Sequence, residues 1–299
     1  MISRVSDVQT FGELRANLSR LQAQIEDLNT QVITGKRLTR PSDDPAGAGS
    51  LVRLFSSLDG LSRDRHAGGF GRDFLAAQDA LLDDTRSLVD RAGELAVQHA
   101  NGLLSDDERA AAVEEVHALL QAAVAIGNSE LAGRRLFSAG EDVSGTPPFV
   151  DPDDPGFDPA TPYVGATRGL EVEIGAGNLV RVTTPGDQVL GSTIAALADL
   201  EGRLAAGTDT AASLPALDAA ARDLAAERAS VGTRMQTIDQ REDRIQGAEL
   251  ITTETIGGTR DADIADVVTR LAQLQAQLQV AAAASQRLLD ASLVNLLGV

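Results

Sequence analysis

The 299-residue chain contains no cysteine and no tryptophan, and only one tyrosine and seven phenylalanines. Without cysteine there is neither a disulfide nor a thiolate metal site, and the redox state of the compartment leaves no mark on the sequence. With so few rings, the core must be built mainly from alanine and leucine. Small side chains at that density suit helices packed closely along their length. No stretch reaches the roughly 18 uninterrupted apolar residues of a membrane span. The start, Met1-Ile2-Ser3-Arg4-Val5-Ser6-Asp7, lacks the basic region and apolar run of a Sec signal peptide. Positive charge is scarce too: the formal net charge of −18 repels phosphates over most of the surface. Neither a membrane nor a nucleic acid is expected as a partner. The length allows about two domains with a sizeable core.

Chemistry is also missing. His66, His99 and His117 are scattered along predicted helices without ligand spacing, so they suggest neither a metal site nor a general base. Gly68-Gly69-Phe70-Gly71 follows no predicted strand and does not fit a dinucleotide fingerprint. Asp151-Pro152-Asp153-Asp154 lacks the glycine spacing and closing glutamate of a calcium loop, and its prolines stiffen it; a solvated loop is expected. With no catalytic constellation and no cofactor implied, the chain reads as a structural subunit and not an enzyme.

What the sequence does hold is a matched pair of ends. Phe11, Leu14, Leu18, Leu21, Ile25, Leu28 and Val32 recur at alternating steps of three and four. Ile264, Val267, Leu271, Leu274, Leu278, Ala281, Ser285, Leu288 and Ser292 keep the same beat. This spacing is the seam of a coiled coil, returning to one side of a helix about every 3.5 residues. Neither segment has a partner nearby in sequence, so the two are expected to pair with each other and with other copies. From Val267 to Val299 only Arg270, Arg287 and Asp290 are charged. A helix so apolar around its circumference wants several neighbours, and Leu289, Leu293 and Leu296 mark a second face. In a lone chain such ends are expected to stay disordered until assembly. An intramolecular hairpin is the plainer alternative.

Between the ends, the first heptad helix is expected over about Val8–Ile33 and a long helix from Pro45 to about Ala100. Gly35 and the Pro41–Pro45 turn lie between them, and Asp43 or Asp44 is placed to cap the second helix. A bend is expected at Gly68, Gly69 and Gly71, and Asn101-Gly102 ends the helix. Ser105-x-x-Glu108 is a capping box that opens a third helix. Arg134 to Ala139 reads as extended, residues 144–162 as an irregular proline-rich loop, and residues 163–190 as strands turning at Gly175-Ala176-Gly177-Asn178. Helices follow over Thr193–Ala206 and about Ala211–Glu254, an interruption is expected at Gly257-Gly258, and a terminal helix comes last. The domain layout expected is 1–40 and 258–299 as a terminal coiled coil, 41–140 and 193–257 as a helical middle, and 141–192 as a small β-rich insert.

Several segments resemble the flagellin superfamily of bacterial axial proteins: Thr34-Gly35-Lys36-Arg37-Leu38 with Arg40-Pro41-Ser42-Asp43-Asp44-Pro45-Ala46-Gly47; Glu94-Leu95-Ala96-Val97-Gln98 with Asn101-Gly102 and Ser105-Asp106-Asp107-Glu108-Arg109; and Asp261-Ala262-Asp263-Ile264-Ala265. Within it, the doubly prolyl turn, Arg134-Arg135-Leu136-Phe137-Ser138-Ala139-Gly140 and the Tyr163–Val189 stretch are similar to the hook–filament junction family of hook-associated protein 3 type. The resemblance implies a mainly α, elongated flagellin-like rod of long antiparallel helices with paired termini and a small β-rich insert. It implies a subunit in a ring or tube of identical copies, joining hook to filament. Its neighbours would be another hook-associated protein and filament flagellin, and it would be exported to the extracellular flagellum through the type III apparatus with a flagellar export chaperone. Flagellins seen by an innate immune receptor usually carry Arg before Glu-Leu-Ala-Val-Gln, where Gly93 stands here, although Arg91 and Glu94 remain. Filament flagellin itself and a secreted adhesin carried by the β insert are the alternative readings.

Overall fold

The computed structural model describes residues 2–100, 105–138, 145–175 and 177–297, with side chains described between Gly12 and Arg287. The elements run α1 (Ile2–Thr34), α2 (Pro45–Gln98), α3 (Asp106–Gly127), β1 (Glu130–Leu131), β2 (Arg134–Arg135), β3 (Glu171–Glu173), β4 (Leu179–Arg181), α4 (Gly186–Val189), α5 (Gly191–Ala206), a 3-10 turn (Thr210–Ser213), α6 (Leu214–Arg260) and α7 (Ile264–Leu297). The chain is mainly helical, and the described strands form only two short antiparallel pairs. Two compact units result, residues 1–59 with 249–299, and residues 60–248.

In the first unit, α1 packs along α7. Gly35 ends α1 in the left-handed conformation (φ 69°), its N–H donating to the Gln31 carbonyl at 2.8 Å. Asp44 accepts from the Gly47 N–H at 2.9 Å and caps α2, whose first position is proline, where a missing N–H costs nothing. Leu38, Leu51 and Ile256 form a small apolar cluster with Leu54 and Leu58. That cluster explains why the expected interruption at Gly257-Gly258 does not occur and α6 runs unbroken to Arg260. Each glycine costs the helix about 1 kcal/mol, which burial of Ile256 offsets. Thr255 and Thr259 also bond back to the carbonyls one turn earlier.

The second unit buries Phe74, Leu75, Leu82, Leu120, Leu197, Leu200 and Leu224 between α2, α3, α5 and α6. The capping box at the start of α3 is complete: Ser105 Oγ accepts from the Glu108 N–H while the Glu108 carboxylate accepts from the Ser105 N–H. α3 is the one helix among the described residues long and apolar enough by composition to cross a membrane, and it lays Ala112, Val116, Leu120, Ala123 and Val124 into the core. Gly68, Gly69 and Gly71 leave α2 continuous. Gly71 serves close approach, since a Cβ there would stand 2.9 Å from the Val182 side chain.

The extended stretch expected after Gly133 is a hairpin, β1 pairing with β2 through a tight turn with Ala132 and Gly133 both at positive φ. β3 pairs with β4 in the register Val172 opposite Val180. Leu170, Val172 and Ile174 turn inward, while Glu171 and Glu173 stay exposed. Residues 145–162 are irregular, as expected, but not simply solvated. Phe149 is 1% exposed and sits edge-on to Tyr163 at 5.1 Å. The Asn128 side chain bonds both the N–H and the carbonyl of Phe149. A Cβ at Gly127 would stand 2.5 Å from the Phe149 ring, so that glycine makes the ring's seat.

Candidate assembly interface

The segment joining α1 to α2 is built as a clasp on the turn between α6 and α7. The N–H groups of Arg37 and Leu38 both donate to the Arg260 carbonyl, at 2.7 and 3.2 Å, and the Ala262 N–H donates to the Gly35 carbonyl at 2.9 Å. Lys36 and Asp261 form an antiparallel bridge. The Arg37 guanidinium donates to the Thr259 carbonyl at 2.8 Å and lies 3.6 Å from Asp44. Asp43 accepts from the Arg40 N–H at 2.8 Å and from the N–H and hydroxyl of Thr39. The bond from Arg40, and then those from Thr39, hold its carboxyl below the ordinary aspartate range despite some desolvation. Asp43 and Asp44 thus divide the work: one folds the turn, the other starts the helix.

Because the clasp holds the end of α1 against the start of α7, it fixes their antiparallel register. Outward from it on α1, Val32, Leu28, Ile25, Leu21, Leu18 and Leu14 are half-buried. On α7, Val267 is buried, and Leu271, Leu274, Leu278, Ala281 and Ser285 are half-buried. Both series step by four, three, four, three and four, the matched spacing that an antiparallel seam requires. Ile264 is 43% exposed and stands before the packed stretch. Phe11, Leu288, Leu289, Leu293, Leu296 and Ser292 lie outside the described side chains. The Asn101-Gly102 stop and Ala176 are likewise outside the described residues.

Most exposed large apolar side chains among the described residues lie in this same unit: Ile33, Val52, Phe55, Leu250, Ile251, Ile264, Val268 and Val280. On α7, Ile264 stands one heptad before Leu271, and Val268 and Val280 flank the seam residues Val267 and Ala281. Charge divides the same way. Residues 1–59 and 249–299 carry 10 Lys or Arg against 13 Asp or Glu; residues 60–248 carry 16 against 31. No charge at all falls between Arg270 and Arg287. A nearly neutral unit with a partly uncovered apolar helix is suited to protein contact, while a strongly acidic one is suited to water. The sequence reading missed the clasp, because backbone-to-backbone bonds between residues some 225 apart carry no residue signature. The positive-φ glycine and the adjoining basic pair were the only hints.

Among the described residues, no group of three or more His, Asp or Glu side chains is placed to hold a metal ion. The Thr184–Glu227–Arg234 group is a closed network, with Arg234 donating to Thr184 at 3.0 Å and to Glu227 at 2.8 Å. Arg228 bonds Asp79 at 3.0 Å and Asp83 across the α2–α6 pair.

Residues 5–141 match the bacterial flagellin N-terminal helical region, and residues 214–297 match the bacterial flagellin C-terminal helical region. Flagellar hook-associated protein 3 of Salmonella typhimurium is 26% identical over 190 residues, covering 63% of this chain and 57% of the relative. The protein of the same name from Escherichia coli is 26% identical over 200 residues, covering 67% and 61%. The chain thus spans under two thirds of the length of these relatives. In fold it is similar to the crystal structure of Bacillus cereus FlgL, with a TM-score of 0.58 at 18% identity, covering 69% of this chain and 99% of that one. With both terminal helical regions matched and in their proper order, the chain belongs to the flagellin superfamily of bacterial flagellar structural proteins.

Proposed function

We propose that this chain is the junction subunit that joins the flagellar hook to the filament, and that it assembles by folding its two terminal helices against neighbouring copies. The observation that carries this reading is the uneven surface of the first unit. The seam between α1 and α7 uses one stripe of each helix, leaving Ile264, Val268 and Val280 of α7 uncovered. Those side chains gain burial only from other molecules. Ordering two helices of 33 and 34 residues costs conformational entropy that one stripe offsets poorly, so folding awaits a template end. The residues that carry assembly are then Leu14, Leu18, Leu21, Ile25, Leu28, Val32, Val267, Leu271, Leu274 and Leu278, with Phe11, Ile264, Leu288, Leu289, Leu293 and Leu296 completing the two faces.

The names of the relatives favour the junction over the filament. Its partners are copies of itself in a ring, a second hook-associated protein on one side and filament flagellin on the other. Delivery runs through the flagellar export apparatus with a chaperone, to an extracellular position. The test is to incubate purified protein with filament seeds and image the product. A short cap of subunits that stops growing supports the junction, whereas continuous growth means filament flagellin. Immunogold labelling of intact flagella places it: label along the whole filament would overturn the reading.

A further inference from the structure

A single histidine ties the proline-rich loop to the helices of the second unit. His117, on α3, has Nδ1 2.8 Å from the Glu201 carboxylate of α5 and Nε2 3.0 Å from the Asp153 carboxylate of the loop. Gln121, one turn further along α3, donates to the other oxygen of Asp153 at 2.8 Å. Both ring nitrogens therefore face carboxylate oxygens, which accept but cannot donate. Only the doubly protonated imidazolium supplies an N–H to each; a neutral ring keeps the Glu201 bond through Nδ1–H, turns its Nε2 lone pair to the Gln121 amide 3.2 Å away, and gives up its bond to Asp153.

The surroundings sharpen the dependence. Glu114 and Glu201 line the groove beside His117, as do Asp106 and Arg109, and Arg109 is itself 3.7 Å from Asp106. The loop brings Asp151, Asp154 and Asp158 alongside Asp153. An acidic loop thus lies on an acidic face, and among the described residues His117 is the charge in contact with both. The Glu201 hydrogen bond, outweighing the opposing desolvation and helped by Asp153, raises the pKa of His117 above its ordinary value.

We propose that His117 is a proton-operated fastener: charged, it holds the 151–158 loop to α3 and α5, and neutral, it releases the loop and bares the half-buried Phe157. The sign follows from linkage. A histidine that titrates higher when fastened contributes its full effect below the ordinary histidine value, and the effect is lost as pH rises through the fastened value.

The test is hydrogen exchange of the full chain at pH 6 and pH 9, corrected for the intrinsic pH dependence of exchange. The readout is the amides of Asp153, Asp154, Gly156 and Phe157, which all bond within the loop. Protection should fall roughly tenfold from pH 6 to pH 9, the size of losing one charge-assisted hydrogen bond. In His117→Gln and in Asp153→Asn the protection should be low at both pH values, with no step. His117→Gln leaves the buried Val116 and Leu120 in place, and Asp153→Asn changes only an exposed loop side chain, so one of the two reports even if the other misfolds. Imidazole NMR is simple with three histidines, and the signal lost in His117→Gln should titrate lower in Glu201→Gln. Equal protection at both pH values in the parent chain, or a step that persists in either loop variant, overturns the proposal.

Discussion

Replacing Leu21 and Leu274 together by aspartate is the most direct test of the terminal seam. Each leucine is half-buried between α1 and α7. Full burial of a leucine side chain contributes about 1.5–3 kcal/mol, so half-burial at two sites accounts for about 2 kcal/mol. Leu274 also lines a small hollow with Asp27 and Arg270, so a new carboxylate there meets one charge of each sign. Partial desolvation of the two new carboxylates brings the total loss to about 3 kcal/mol. A two-helix pair has little stability in reserve, and that loss suffices to part the ends. The second unit, whose buried residues run from Phe74 to Ile238, loses no contact. Thermal melting followed by circular dichroism should keep that unit's transition while terminal helicity falls, and the variant should fail to enter flagella in a strain lacking the parent. Normal motility with the double variant would refute the reasoning. So would an equal fall in the melting temperature of the second unit.

Two further outcomes follow from local geometry. Phe149→Ala should cost about 3–5 kcal/mol in chemical denaturation, because a fully buried ring is lost. Gly127→Ala alone should also destabilise, yet in the double variant the two losses should fall well short of additive, since the alanine then occupies space the ring has vacated. Asp43→Asn should weaken the first unit at neutral pH. Because the native carboxyl titrates below its ordinary value, the parent's advantage should shrink as pH falls below 4 and vanish beneath the native pKa; an advantage that grows in acid would contradict the assignment.

The helices were legible because their signals are local. The heptad at each end, the Ser105–Glu108 box and the alternation at Leu170, Val172 and Ile174 each follow from spacing within a few residues. Glycine misled once. Gly257-Gly258 read as an interruption, but burial of Ile256 against Leu38 and Leu51 decides that site, and neither leucine is near in sequence. The 144–162 stretch misled for a related reason. Its prolines and aspartates describe a loop, while the one phenylalanine that anchors it, Phe149, looks in sequence like any other. A deletion of 144–162, which composition makes look mild, would remove that anchor from the core. His117 is the same lesson in polar form, since its two carboxylates lie 36 and 84 residues away.

The clasp has a consequence for which face of α7 meets α1. Turning α7 by one residue would rotate it by 100° and offer the face of Val268 and Gln275 to α1 in place of that of Val267 and Leu274. That rotation would break the bonds from Arg37, Leu38 and Ala262, each worth about 1 kcal/mol, a barrier of roughly 3 kcal/mol to the wrong register. The clasp therefore keeps Val268 off the seam and available to other molecules, which heptad spacing alone would not do. The absence of native cysteine makes this measurable without background. Cysteines introduced at Ile25 and Leu274 should cross-link readily under mild oxidation in assembled material, whereas cysteines at Ile25 and Gln275 should not. Gly35→Ala strains the left-handed turn by about 1–2 kcal/mol, with φ at 69°, and should raise the off-register yield. Equal yields from both pairs in the otherwise native chain would mean that the seam selects its own register and that the clasp is dispensable.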